Sequence, residues 1–353
     1  MHPDKIKWLE EAKLVSFDDA AAKLPTKFTR SGSERTSING CPVCGGKDRL
    51  SYNVAKGAWN CRGHGGGYDV VNFLQHTMSL SFDQACEELT GRPNPIGQTR
   101  TLSQFEKAEL EKRKAKAAER KKHIEDEEKA SQERKKQMAL DIWKAGKPIA
   151  GTPAEAYLLN RGLSKREWST QLRFHKGLTY YKDPDKPVYP ALIARVSDMF
   201  GDFLGVWRIY ITKDGQKAPV KAQEGCKIGL GAVSGGAVYL NGTEGSECIA
   251  GEGLETTLAL EELFYKPGVA TLSTSGMEGL QPPTSLESIT IGADCDNWKY
   301  QENGEKWLQG QGQIVAERSA ERFRKMNIDV PHVHLPPEGI DWLDVLNFAR
   351  GRM

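Results

Sequence analysis

The apolar positions of this 353-residue chain change rhythm several times, and each change marks a boundary. In the final third, short apolar runs alternate with longer amphipathic stretches. These are "CIAG" from Cys248, "LETTLALEELFYK" from Leu254, "GVATLST" from Gly268, "SITIGAD" from Ser288 and "GQIVAERSAERFRKMN" from Gly312. Such a βαβα order predicts a Rossmann-like parallel sheet with helices on both faces, and ligands in that layout sit at the carboxyl ends of the strands. Upstream, "PALIARVSD" and "FLGVWRIYI", separated by the turn-like "MFGD", read as paired strands in a mixed α+β region. Near the N-terminus, "RLSYNV" and "GAWNC" read as the two strands of a small hairpin.

Between Gln104 and Gln137 the chain carries 12 basic and 9 acidic residues and neither Gly nor Pro, which predicts a solvated helix acting as a linker. The turn-rich "GRPNPIG" closes the segment before it. The resulting division is 1–97, 98–146, 147–242 and 243–353, a multidomain α/β protein without internal repeats. No apolar run reaches the length of a membrane span, and the N-terminus lacks the apolar core of a secretory signal, so a cytoplasmic protein is expected.

Charge sharpens this division. Lys and Arg outnumber Asp and Glu by 14 to 8 over 147–240, whereas the balance over 241–353 is 9 to 18. A basic middle beside an acidic end suits an enzyme that holds nucleic-acid phosphates with one region and metal ions with the other.

Of the seven cysteines, Cys41, Cys44 and Cys61 crowd into the first domain, an arrangement that favours metal binding over disulfides in a reducing compartment. The string "CPVCGGKDRLSYNVAKGAWNCRGHGGG" spaces Cys41-x-x-Cys44 from Cys61-x-x-His64 by sixteen residues. Two such knuckles can close a tetrahedron of three thiolates and one imidazole around a structural zinc ion. The surrounding Lys47, Arg49, Lys56 and Arg62, with Tyr52 and Trp59, combine phosphate-binding cations with rings able to stack on bases, which suggests contact with a single-stranded template.

Carboxylates mark the ends of the final strands. Glu252 follows "ECIAG", Asp294 and Asp296 follow "ITIG", and Asp341 and Asp344 follow "VPHVHLP". Acids converging on one crevice repel each other unless a cation is bound, and their hard oxygens suit magnesium.

The pattern "GEGLET", "ADCDN" and "DWLDVL" resembles the Toprim domain shared by bacterial-type primases, topoisomerases and some nucleases. With the zinc ribbon in front, the order is similar to primases of the DnaG type, those of phages and mobile elements above all. The resemblance implies a DNA primase that makes short RNA primers by nucleotidyl transfer on single-stranded DNA from ribonucleoside triphosphates. It implies Glu252, Asp294, Asp296 and Asp341 as catalytic acids, the three aspartates holding Mg2+ or Mn2+, with Glu252, Glu255 and Asp344 as further candidates. Arg208, Lys217, Lys221 and Lys227 would line the template and nucleotide-phosphate side.

The usual first motif has an acid four positions after its glutamate, where this chain has Thr256, and the last motif spaces its acids by one residue rather than two. No phosphate-cradling loop ending in Gly-Lys-Ser or Gly-Lys-Thr occurs, so a separate replicative helicase is the expected source of unwinding. A Toprim nuclease or topoisomerase, and a nonenzymatic zinc-dependent nucleic-acid binder, remain the alternatives.

Overall fold

Two compact units, Met1–Ser131 and Gln132–Met353, divide the chain. The computed structural model describes residues 2–96, 104–164, 167–221, 225–294, 299–300, 306–308, 311–337 and 339–352. Among these, no helix is long and apolar enough to cross a membrane.

In the first unit, α1 (Pro3–Lys13) and α2 (Phe17–Ala21) precede an antiparallel five-stranded meander of β1 (Phe28–Ser31), β2 (Glu34–Ser37), β3 (Leu50–Asn53), β4 (Ala58–Cys61) and β5 (Gly65–Gly67). Helices α3 (Val70–Met78) and α4 (Phe82–Thr90) follow. Asp69 starts α3 by accepting from the Asn72 amide, and a Ser81–Gln84 capping box starts α4. Leu50 and Tyr52 of β3 and Trp59 and Cys61 of β4 alternate inward. They pack against Phe17, Phe73 and Leu74, so the hairpin predicted between the knuckles is the inner wall of this core.

Helix α5 (Gln104–Ala145) is continuous across the boundary between the units. Its last turns are not a spacer, because Ala139 and Trp143 are buried with Tyr180, Ile193 and Tyr210 of the second unit.

The second unit continues with α6 (Pro153–Asn160) and an antiparallel sheet of β6 (Leu172–Thr179), β7 (Val188–Ser197), β8 (Phe203–Tyr210) and β9 (Lys227–Gly231). Strand β7 is apolar on both faces because both are covered. Leu192, Ala194 and Val196 enter one core, and Ala191 and Ile193 join the end of α5 in another.

The remaining elements are β10 (Val238–Tyr239), β11 (Glu247–Gly251), α7 (Leu254–Phe264), β12 (Gly268–Ala270), α8 (Thr274–Gly279), β13 (Ser288–Gly292), the short pair β14 (Lys299–Tyr300) and β15 (Lys306–Leu308), α9 (Gln311–Lys325), β16 (Val333–His334) and α10 (Trp342–Ala349). Strands β12, β11, β13 and β16 are parallel neighbours, with β10 antiparallel at the edge. The expected α/β layout is therefore present. Ile249 packs with Leu258 of α7 and Leu346 of α10, while Cys248 and Ala250 face the side of Met277 in α8 and Phe323 in α9. Burying each such leucine contributes about 1.5–3 kcal/mol, which holds α7 and α10 against the sheet. The first of these cores also contains Tyr157, Leu192 and Ile209, so the two sheets of this unit share an interior.

Candidate metal centres

The first knuckle turns between Cys41 and Gly45, which exchange backbone hydrogen bonds of 2.9 and 3.3 Å. Glycine is required beside it: Gly40 has φ +85°, and a Cβ there would lie 2.0 Å from the Gly46 carbonyl oxygen. Cys44 Sγ lies 3.2 Å from Cys61 Sγ, and Cys41 Sγ lies 3.2 Å from Nε2 of His76. The donor atoms of Cys41, Cys44, Cys61 and His76 are all within 4.8 Å of one another, the one such group among the described residues. A Cys3His donor set fits zinc, and four protein donors leave no open position for chemistry. Crowding raises the Cys44 thiol to about 12, through its hydrogen bond with Cys61, then burial, then Cys41. A divalent cation among the sulfurs would reverse that preference.

The histidine in this group differs from the one that the spacing selected. His64 is exposed, its Nδ1 is 3.0 Å from the Gly63 carbonyl oxygen, and its ring centroid is 5.0 Å from that of His76. His76 comes from the last turn of α3 and lies stacked on Trp59 at 5.0 Å and 19°. The rings expected to meet bases are core residues: Trp59 is 8% exposed beside Phe73, and Tyr52 stacks on Phe17 while donating to Asp18 at 2.8 Å. Lys47, Arg49, Lys56 and Arg62 are exposed, Arg62 lying 3.7 Å from Asp48. An open aromatic ring near the meander is Tyr68, 87% exposed, which sequence reasoning passed over because it stands outside the strands.

In the second unit, the register of β11 and β13 pairs Gly251 with Gly292. Glu252 is the next residue after one strand, and Asp294 lies two residues beyond the other. Both line one narrow crevice with Thr274, Gly292 and Gly312. A Cβ on Gly292 would come within 2.3 Å of Leu260, so the bare backbone lets α7 approach the sheet behind this crevice. Asp341 is the N-cap of α10 and accepts from the Asp344 amide at 2.9 Å, while Asp344 accepts from the Asp341 amide at 3.1 Å. Trp342 ties this cap to the strand end, its indole donating to the Ala293 carbonyl at 3.0 Å. Asp296 lies outside the described residues. Among those described, no three carboxylates bring oxygens within 4.8 Å of one another. The hard oxygens of Glu252 and Asp294 at one crevice nevertheless suit magnesium or manganese chemically.

Glu255 does not face that crevice. The residue is 2% exposed, and its carboxylate accepts from Tyr157 at 2.6 Å and lies 2.8 Å from Lys227 Nζ. Burial pushes the carboxyl upward, but the Lys227 charge and these hydrogen bonds hold it below its ordinary value. The pairing occupies two residues that the resemblance assigned to metal and phosphate. Arg208 is likewise engaged: it is 8% exposed and donates to the carbonyls of Ile228 and Gly229 and to the Tyr210 hydroxyl. Lys217 and Lys221 are exposed, the latter 3.2 Å from Asp185.

Residues 247–351 match the Toprim domain family. The C-terminal third is a Toprim domain. Ahead of it, residues 133–240 match a domain of unknown function, DUF7146. No curated protein matches the chain. Similar solved structures include the zinc-binding and RNA polymerase domains of Aquifex aeolicus primase, at 14% identity and TM-score 0.37 over 99% of this chain and 83% of that one. The DnaG primase catalytic domain bound to single-stranded DNA is similar at 13% identity and TM-score 0.37, over 62% of this chain and 78% of that one. The primase fragment of the bacteriophage T7 primase-helicase protein is similar at 12% identity and TM-score 0.33, over 89% and 95%. Within the matched residues, Glu252 follows the end of β11, and the "ADCDN" string begins where β13 ends.

Proposed function

We propose that this chain is a DNA primase that joins ribonucleotides on a single-stranded DNA template. The reading is carried by one observation, the shared crevice of Glu252 and Asp294 at the carboxyl ends of adjacent parallel strands in the Toprim domain. Glu252, Asp294, Asp296 and Asp341 would hold Mg2+ or Mn2+. When bound, that cation acidifies the attacking 3′-hydroxyl and offsets charge on the departing pyrophosphate. Lys217 and Lys221, exposed on the more basic region, would attract template and nucleotide phosphates. The protein supplies position and electrostatics, with no covalent nucleophile required.

The Cys3His group would hold zinc in a structural role, shaping a face on which Lys47, Arg49, Lys56 and Arg62 remain open to template phosphates. ATP-driven unwinding would be left to a separate helicase.

Incubation with single-stranded DNA, labelled ribonucleoside triphosphates and magnesium tests the reading. Template-dependent RNA products are expected. Cleavage of supercoiled DNA without incorporation would instead make the protein a Toprim nuclease or topoisomerase, and template binding with neither activity would leave a zinc-dependent binder.

A further inference from the structure

Helix α7 starts without the usual side-chain cap. Its N-cap is Gly253, which offers no side-chain acceptor, and the preceding residue is Glu252 at the crevice. A first turn without a side-chain cap has one anchor fewer, and any loosening of it reaches the backbone carrying Glu252. Beside the helix's own bonds from the Thr257 amide and hydroxyl to the Gly253 carbonyl, contacts from neighbouring elements steady it on two sides. On one side, the Leu272 amide donates to the Glu252 carbonyl at 2.7 Å. On the other, Glu255 in the first turn of α7 is anchored by groups from outside the Toprim domain: Tyr157 of α6 at 2.6 Å and Lys227 of β9 at 2.8 Å.

We infer that Glu255, clasped by Lys227 and Tyr157, is a positioning residue that fixes the first turn of α7 and so aims Glu252 into the crevice. The inference rests on the cation-binding reading of that crevice. It assigns Lys227 and Glu255 to each other rather than to phosphate and metal. The geometry favours this assignment because Glu255 is 2% exposed, Tyr157 is 1% exposed, and the carboxylate already receives both partners. A buried ion pair often adds little net stability over apolar residues, and its best-attested use is to fix one arrangement among several. Here the arrangement fixed is the contact of α6 and β9 with the helix that follows Glu252.

The test uses the full chain. Mn2+ affinity is read by electron paramagnetic resonance, and backbone amide exchange is followed over residues 252–257. Lys227→Met is expected to weaken Mn2+ binding by about tenfold or more, the usual effect of losing a supporting contact behind a metal ligand. It is also expected to speed exchange at 252–257. Lys227→Arg should restore most of the affinity. Tyr157→Phe, which removes a hydroxyl and keeps the ring, should shift both readouts in the same direction by less. The inference is overturned if Lys227→Met and Tyr157→Phe leave Mn2+ affinity and exchange unchanged, whether or not the KM for nucleotide rises. If the unaltered protein binds no Mn2+, the cation-binding reading fails by itself. Exchange at 252–257 then decides whether the clasp fixes the turn.

Discussion

The indole of Trp342 donates to the carbonyl of Ala293 at 3.0 Å, joining the residue after Asp341 to the residue before Asp294. Both groups are buried, so the bond ties the start of α10 to the end of β13 where water cannot replace it. Trp342→Phe keeps a ring in the core but leaves the Ala293 carbonyl without this donor. A loss of about 1–3 kcal/mol in urea unfolding is expected, the cost of an unsatisfied buried group. Ribonucleotide incorporation should fall beyond what the lost stability explains, because the start of α10, which carries Asp341, loses its tie to the residue before Asp294. Unaltered incorporation would separate Asp341 from the site.

The Cys3His group distinguishes two neighbouring histidines. His76→Ala is expected to lose zinc or release it faster to a chelator, and to loosen α3, whereas His64→Ala should keep the full zinc content. Metal analysis and hydrogen exchange measure both effects. The reverse pattern would return the fourth position to the second knuckle.

These two sites show how far the sequence could be read. The spacing of Cys41, Cys44 and Cys61 marked three donors of one group, and the place of Glu252 and Asp294 just past strand ends was legible because an apolar run followed by an acid marks such an end. His76 was not legible, since it reaches the sulfurs only after α3 has packed on the meander, and nothing in its helical pattern sets it apart. Trp59 and Arg208 failed as surface candidates for the same reason. Which face of β4 or β8 is covered depends on distant residues such as Phe73 in α3 and the carbonyls of β9.

Arg208 and Lys217 should therefore behave differently. Arg208→Met removes donors from the carbonyls of Ile228 and Gly229, so it should lower the unfolding midpoint while leaving DNA affinity nearly unchanged. Lys217→Ala should leave stability alone and weaken single-stranded DNA binding, with a salt dependence shallower by roughly one phosphate contact. Titration of labelled oligonucleotide at several salt concentrations measures the difference, and an unchanged salt slope would move the template path away from Lys217.

Glu255 gives a pH signature. Its carboxyl lies below the ordinary 4.5 in the folded protein, so the unfolded chain binds the proton more readily. Its contribution is fully present above 4.5 and is lost as the pH falls below that value through the folded-state one. Denaturant unfolding followed downward from neutral pH should therefore lose stability more steeply in the unaltered protein than in Glu255→Gln. Parallel curves would show that the clasp with Lys227 contributes no proton linkage.

Labelled ribonucleotide incorporation on single-stranded DNA by Glu252→Gln and Asp294→Asn tests the shared crevice most directly. Each variant should keep its zinc and its fold by circular dichroism while incorporation falls by on the order of 10² or more, the scale seen when one preorganised electrostatic group is removed. Undiminished synthesis by both would place the chemistry outside the crevice and contradict the assignment.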